Sequence, residues 1–132
     1  MKLTGFVTLI SVLIVGTVGA AIAVSLVLLG TDNYRVTANV EDSRLSQSLS
    51  DACSEKALDA LRSDINYAGN ETINFTKGSC QILPIIGNGS ENPIVQTTGN
   101  VNSLIRKNEI EVIQVSGQVK VGTWREVADF VN

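Results

Sequence analysis

The 132-residue sequence contains no histidine, two prolines and two cysteines. Without histidine, the chain lacks the side chain that most often transfers protons near neutral pH and most often binds metals. It also lacks a glycine-rich phosphate loop, a cluster with metal-ligand spacing and a nucleophile motif. Acidic pairs such as Glu41 with Asp42 are explained by solvated surface charge. The sequence therefore predicts that the protein is not an enzyme and has no catalytic residue, cofactor or metal site.

Charge is nearly absent from the first 31 residues, where Lys2 is the sole charged side chain. Phe6 to Leu29 is an uncharged run of 24 residues, and a helix of that length spans roughly 36 Å. The hydrocarbon core of a bilayer is thinner, at roughly 30 Å. Residues 6–29 are therefore predicted to cross a membrane. Because positive charge tends to stay in the cytoplasm, Lys2 predicts an N-terminus inside and a domain outside.

Residues 30–132 contain every acidic residue and every basic residue except Lys2, and the net charge of the chain is -3. Such a mildly acidic segment has none of the basic patches that bind nucleic acid. About a hundred residues bury enough surface for one domain with a modest core. We therefore expect a single extracytoplasmic domain over 30–132 that does not bind nucleic acid directly.

Apolar residues recur every three or four positions between residues 45 and 65. They are Leu45, Leu49, Ala52, Cys53, Ala57, Ala60, Leu61 and Ile65. Charged residues mostly take the other positions, which predicts an amphipathic helix with one narrow buried face. Residues 30–33 form a polar interruption before it, in which Thr31 or Asp32 would cap the second helical stretch. The pattern leaves open whether the helix breaks there or only bends.

Beyond Asn70 the period changes to two, and β-branched residues alternate with turn-forming residues. The predicted strands are Thr72 to Thr76, Cys80 to Ile86, Ile94 to Val101, Leu104 to Val115 and Val119 to Val121, and the clearest loop is Gly87 to Pro93. A sheet with one polar face must bury the other, and the amphipathic helix is the available cover. The predicted fold class is α+β, with a long N-terminal helix packed on a small antiparallel β-meander.

Cys53 falls on the predicted helix and Cys80 on an early strand. A chain led by a membrane-targeting segment exposes both to an oxidising compartment, which predicts a disulfide across the helix–sheet interface. Closing this loop would stabilise the domain by about 3 to 4 kcal/mol on the chain-entropy model. The alternative is a pair of buried free thiols.

Small residues interrupt the larger side chains of the apolar run. Gly16, Gly19, Ala20 and Ala23 recur at spacings of three and four, which places them on one helix face. In lipid such a face lets another helix approach closely and gain dispersion contacts. We therefore predict helix packing at these four residues. The alternative is that they only reflect how common glycine and alanine are in membrane helices.

The most informative motif is at the start of the chain. Residues 1–5 (MKLTG) form a very short basic stretch that ends in Gly5, and the apolar run begins at once with Phe6. This resembles the type IV prepilin signal. In that family a dedicated peptidase cuts after the glycine, and the new N-terminal residue is methylated. The resemblance implies a leader at 1–5, cleavage between Gly5 and Phe6, and N-methylation of Phe6.

The resemblance extends over most of the chain. The long N-terminal helix, the Cys53 and Cys80 pair, the meander and the closing segment from Trp124 to Phe130 look like PilX-like minor pilins, in particular a divergent bacterial set. Two features depart from the usual pilin. The glutamate expected five residues into the mature chain is replaced by Ile10, followed by Ser11, and the proline that commonly kinks the membrane helix is missing. In related systems the subunits without that glutamate are tip or initiator components, so the resemblance implies a minor pilin.

These observations predict a structural subunit of a type IV pilus or a related filament, held in the cytoplasmic membrane before assembly at the cell surface. The implied partners are other pilin subunits, the assembly machinery, the prepilin peptidase and the cytoplasmic membrane. The alternative is a single-span envelope protein whose loop at Gly87 to Pro93, or an edge strand, binds a ligand. A secretory signal cut near Ala21 to Ala23 is less favoured, since it would leave Val24 to Leu29 as an apolar tail.

Trp124 and Phe130 are expected in the core, because large aromatic residues of small domains are mostly buried; the alternative is that they anchor a neighbouring subunit.

Three tripeptides fit an N-glycosylation acceptor, and they begin at Asn70, Asn74 and Asn88. Such tripeptides often arise by chance in asparagine-rich loops.

Overall fold

The structure is a computed structural model that describes the backbone of residues 2–131 and the side chains of residues 5–131. One helix precedes five strands: α1 (Lys2–Ser63), β1 (Glu71–Phe75), β2 (Gly78–Ile82), β3 (Ile94–Val101), β4 (Leu104–Gln114) and β5 (Lys120–Val127). The chain divides into two compact units, Met1–Asn39 and Val40–Asn132. Of the predicted leader, Met1 and the side chains of residues 2–4 lie outside the described part of the chain.

Helix α1 continues through residues 30–33 without interruption. The Thr31 hydroxyl donates to the carbonyl of Leu28, at 2.8 Å, within the same helix. A capping side chain would instead accept from a free backbone N–H at a helix start. The prediction of a cap at Thr31 or Asp32 is therefore wrong. A single glycine such as Gly30 costs a helix only about 1 kcal/mol, which the long apolar and amphipathic stretches on either side tolerate.

The five strands form one antiparallel sheet in the order β1-β2-β3-β4-β5, so the predicted α+β meander is confirmed. β2 ends at Ile82, four residues before the predicted end, and Ile86 instead forms an isolated bridge with Ile94. β5 extends to Val127 and is longer than predicted. Its pairing with β4 is irregular between Glu111 and Gln114. Strands β1 and β5 are therefore the two edges of the sheet.

The core lies between the C-terminal part of α1 and the sheet. On the helix, Leu49, Cys53, Ala57 and Leu61 are at most 8% exposed and follow each other at four-residue steps. Ala52, which the sequence pattern also placed on this face, is exposed. The strand residues that meet the helix are buried along β2, β3 and β4, among them Ile82, Val95, Val101, Ile110 and Val112. The predicted narrow buried face is therefore largely confirmed.

A column of serines brings α1 close to β3. Ser46, Ser50 and Ser54 are fully buried and lie four residues apart, on one face of the helix. The Ser46 hydroxyl donates to the carbonyl of Gly99 at 2.7 Å, and the hydroxyls of Ser50 and Ser54 lie 3.1 and 2.7 Å from the Thr97 hydroxyl oxygen. Since serine is small and its hydroxyl finds a partner here, the helix backbone can sit directly on the strand.

The predicted disulfide is present. Cys53 on α1 and Cys80 on β2 are joined, with their Cα atoms 6.1 Å apart. Both residues are at most 1% exposed. The alternative of two free thiols is therefore excluded in this structure.

Candidate functional site

The uncharged segment of α1 is exposed throughout. Every residue from Gly5 to Thr37 is exposed, and the helix contains a stretch long and apolar enough to cross a membrane, none of it buried within the chain. A contiguous apolar surface of this size is rare on a soluble monomer and marks contact with a membrane or with other proteins. We call residues 6–29 the apolar segment and treat it as the first candidate functional site.

The hydroxyl groups of this region are all hydrogen-bonded to the helix itself. Between Gly5 and Thr31 they belong to Thr8, Ser11, Thr17, Ser25 and Thr31. Each donates to a backbone carbonyl three or four residues earlier, at 2.8 to 2.9 Å. In hydrocarbon an unpaired donor would cost several kcal/mol. The segment therefore presents neither charge nor a free hydroxyl proton to its surroundings.

The four small residues share one face of this helix, as predicted, because they lie at positions i, i+3, i+4 and i+7. A Cβ atom at Gly16 or Gly19 would meet nothing within 4 Å. Among the described residues, no atom therefore lies close enough to require glycine at either position.

The predicted cleavage site lies in the first turns of α1. Gly5 and Phe6 are helical, and Phe6 is 65% exposed. Ile10, at the position where pilins usually have glutamate, is also exposed. The hydroxyl proton of the adjacent Ser11 is directed to the carbonyl of Val7. Ser11 keeps acceptor lone pairs, but neither residue offers a carboxylate to a positive N-terminus.

Trp124 is 42% exposed, so the prediction that it lies in the core is wrong. It pairs with Ile110 across β4 and β5, and Ile110 is fully buried. Burial ends at this step, and every residue of β5 from Lys120 to Glu126 is exposed. A sequence pattern has no signal for how many strands a helix covers.

Phe130 is half-buried, which matches neither the predicted core position nor the exposed anchor that was the alternative. Its ring lies 5.5 Å from the Lys107 ammonium nitrogen, and that ammonium also pairs with Asp129 at 2.7 Å. A cation over an aromatic ring is attracted by the electron density of the ring face. Phe130 therefore helps to hold the C-terminal segment on β4 and is not a plug of the core.

Charged side chains link β4 to β5 beside these aromatic residues. The Glu109 side chain is only 10% exposed and pairs with the Arg125 guanidinium, and it also accepts from the Gln96 amide at 3.0 Å. Arg125 and Gln96, as hydrogen-bond donors, lower the pKa of the Glu109 carboxyl from its usual value. Both oxygens of this carboxylate are therefore engaged with neighbouring side chains.

The loop at Gly87 to Pro93 is confirmed; residues 87–92 are exposed, whereas Pro93 is buried. A single carboxylate ties this loop to the β4–β5 turn. Glu91 accepts from the backbone amides of Val115 and Ser116 at 2.9 and 3.0 Å, and from the Ser116 hydroxyl. These donors, led by the hydroxyl, lower the pKa of Glu91. Sequence reasoning missed this contact because Glu91 and Ser116 are distant along the chain and neither belongs to a motif.

Within residues 5–131 there is no group of three or more histidine, cysteine, aspartate or glutamate side chains placed to hold a metal ion. No protein-family model, curated protein or solved structure matches this chain. The case for a function therefore rests on the apolar segment, on the domain that follows it and on the surface around Trp124.

Proposed function

We propose that the protein is a structural subunit of a type IV pilus or a related type IV filament, of the minor or tip type. The observation that carries this proposal is the exposed, uncharged apolar segment, whose hydroxyls are all hydrogen-bonded to its own backbone. Such a helix is stable in lipid and equally stable among other helices, since neither surrounding has to satisfy a polar group. One segment thus serves first as a membrane anchor and then as part of a filament core.

The domain beyond the apolar segment supports the same role. An α-helix packed on an antiparallel meander, with a disulfide joining helix and sheet, is the arrangement that the resemblance to pilins implies. Exposed Trp124 and the open strand β5 offer a surface for neighbouring subunits, because aromatic residues are enriched in protein interfaces. The absence of a carboxylate at Ile10 and Ser11 favours a subunit at the tip or initiation complex over one along the filament body.

The alternative is a permanently anchored envelope protein that binds a ligand with its extracytoplasmic domain. The exposure of Trp124 favours it as well, since a half-exposed tryptophan on an edge strand is also suited to ligand binding. This protein would use residues 6–29 only as a tether. It would therefore keep its first five residues.

The deciding experiment is the N-terminal sequence and intact mass of the protein recovered from its native membranes. A subunit of this class begins at Phe6 and carries one added methyl group. The variant Gly5→Val should retain residues 1–5, because a branched side chain replaces the glycine at the cut, whereas Gly16→Val should be processed normally. A native chain that begins at Met1, together with isolated filaments that never contain the protein, would support the tethered alternative instead.

A further inference from the structure

The three potential N-glycosylation tripeptides lie within 21 residues of each other, and their asparagines are all exposed. They begin at Asn70, just before β1, at Asn74, within β1, and at Asn88, in the loop before β3. A glycan requires an asparagine at the surface, on the side of the membrane where the sugar donor is available. All three meet the first condition, but their local structures differ.

Asn74 is exposed, as are the other two residues of its tripeptide. It lies one residue before the end of β1, and the two-residue turn at Thr76 and Lys77 follows. Its neighbour Ile73 packs against the core, so the alternation of side chains along a strand directs Asn74 away from it. Among the described residues, neither the Asn74 amide nor the Thr76 hydroxyl has a hydrogen-bond partner, and both residues are exposed.

The backbone of Asn74 pairs with Ser79 across β1 and β2, but in the other two tripeptides the side chain of the second or third residue is also engaged with the protein. The hydroxyl of Ser90 donates to the carbonyl of Gly87 at 2.6 Å, so the third residue of the Asn88 tripeptide is occupied. At Asn70 the middle residue, Glu71, is paired with Lys56 at 2.7 Å. The preceding Gly69 is packed so tightly that a Cβ atom there would lie 2.3 Å from the carbonyl oxygen of Leu83. Both would have to rearrange before an enzyme could bind them in an extended form.

We propose that Asn74 is N-glycosylated, and that the sugar donor is a glycan carried on a polyprenyl phosphate or diphosphate. In the transfer, the Asn74 side-chain nitrogen bonds to the anomeric carbon of the first sugar. The bond between that carbon and the phosphate oxygen breaks, the lipid phosphate leaves with the electron pair, and the amide loses one proton. The inference rests only on the extracytoplasmic position of the domain, which the proposed pilin and the tethered alternative share.

The position of Asn74 gives such a glycan a structural consequence. β1 is one edge of the sheet and β5 is the other. An open edge strand offers unpaired backbone groups to other chains, and proteins commonly protect it. A bulky, hydrated glycan on β1 covers this edge and leaves β5, with Trp124, free for contacts. Glycosylation would therefore restrict edge-to-edge association to one side of the sheet.

The test is peptide mass spectrometry of the full-length protein from its native membranes, in the wild type and in four variants. We expect the peptide with Asn74 to carry a sugar mass in most copies. Asn74→Gln and Thr76→Ala should lose it, whereas Thr76→Ser should keep it because serine retains the hydroxyl. Asn102→Gln should also keep it, since Asn102 is exposed but belongs to no acceptor tripeptide.

An Asn74 peptide without sugar would overturn the assignment, as would a sugar on Asn70 or Asn88 in its place. A sugar that persists in Asn74→Gln and disappears in Thr76→Ala would be linked to oxygen and would equally contradict it. The same samples report the N-terminus. A chain that begins at Met1 but carries the sugar would refute the pilin proposal alone, and a chain that begins at Phe6 without sugar would refute this inference alone.

Discussion

Gly99 and Ser46 lie so close together that a Cβ atom on Gly99 would stand 1.9 Å from the carbonyl oxygen of Ser46. The carbonyl of Gly99 in turn accepts the Ser46 hydroxyl proton at 2.7 Å. Strand β3 and helix α1 therefore meet backbone to backbone at this point. The unit Val40–Asn132 is held together by a hydrogen-bonded, close-packed seam of small residues as well as by apolar side chains.

Replacement of Gly99 by alanine should destabilise the fold. The added methyl group collides with helix backbone at Ser46 and Ser50, which cannot move aside as a flexible side chain would. Overpacking of this kind typically costs about 1–3 kcal/mol, and occasionally more. We expect a loss at the upper end of this range in the free energy of unfolding, measured by urea titration of the full chain in detergent micelles with Trp124 fluorescence. Gly30→Ala, where a Cβ meets nothing, should cause no loss, and equal stability of the two variants would contradict the close approach.

Thr97→Val should destabilise the fold, because it removes the hydroxyl group that is hydrogen-bonded to the serine column. The Thr97 hydroxyl lies 2.7 Å from the hydroxyl of Ser54 and 3.1 Å from that of Ser50. Valine has a similar shape, so the change mainly removes the hydrogen bonds of the Thr97 hydroxyl, including the one it donates to the carbonyl of Ser50 at 3.2 Å. Ser54 still donates to the carbonyl of Ser50 at 2.9 Å, and Ser50 keeps only a 3.4 Å contact with the Thr97 carbonyl. A lost hydrogen bond typically costs about 0.5–1.5 kcal/mol. Thr98→Val, one residue along the same strand and outside the column, is the matched control. The prediction fails if both variants unfold at the same urea concentration.

Loss of the disulfide should lower stability without changing the fold. Cys53 and Cys80 are 27 residues apart, and on the chain-entropy model their link contributes about 3 to 4 kcal/mol by restricting the unfolded chain. The double variant Cys53→Ala with Cys80→Ala should therefore unfold at a clearly lower temperature in a calorimetric scan. A reducing agent should lower the transition of the wild type and leave that of the double variant unchanged. If wild-type protein that has been unfolded and reduced still unfolds at the temperature of the oxidised protein, the disulfide does not make this contribution.

Stability should fall in acid, partly because of Glu91. Hydrogen bonds from Ser116 and Val115 lower the pKa of this carboxyl in the folded state. Its contribution is therefore complete above the unfolded pKa of about 4.3 and is lost as the pH falls through the lower folded pKa. Thermal unfolding followed from about pH 6 downwards should show a shallower acid decline in Glu91→Gln than in the wild type.

Two comparisons make the test of Glu91 specific. Glu55→Gln is the matched control, because Glu55 is exposed on α1 and has no hydrogen-bond partner among the described residues. It should keep the acid decline of the wild type. Part of the decline should remain in Glu91→Gln, since hydrogen bonds from Arg125 and Lys107 also lower the pKa values of Glu109 and Asp129. A decline of unchanged steepness in Glu91→Gln would show that the contact does not form in solution.

Local patterns along the chain were sufficient to predict the elements of the fold. The uncharged run from Phe6 to Leu29 predicted an exposed apolar helix, and the alternation beyond Asn70 predicted five strands in a meander, because both depend on neighbours within a few residues. The bounds were less accurate where pairing decides them. β5 extends past Trp124 because β4 offers it a partner as far as Lys107, which no pattern within β5 itself reveals.

The candidate site divides in the same way. The apolar segment, its four small residues and the three acceptor tripeptides follow from residue type and spacing, and the resemblance to prepilins rests on Gly5 and Phe6. The serine column, the contact between Glu91 and Ser116 and the exposure of Trp124 join residues that are far apart along the chain.

The sequence by itself determined the uncharged helix, the order of the elements and the only two cysteines available to form a disulfide, since these depend on composition and short-range periodicity. Only the tertiary structure decided that the fully buried strand residues lie in β2 to β4 and that β5 is exposed. It likewise decided how closely Ser46 and Ser50 approach Gly99, because a distance across the helix–sheet interface is not encoded in any local pattern of residues.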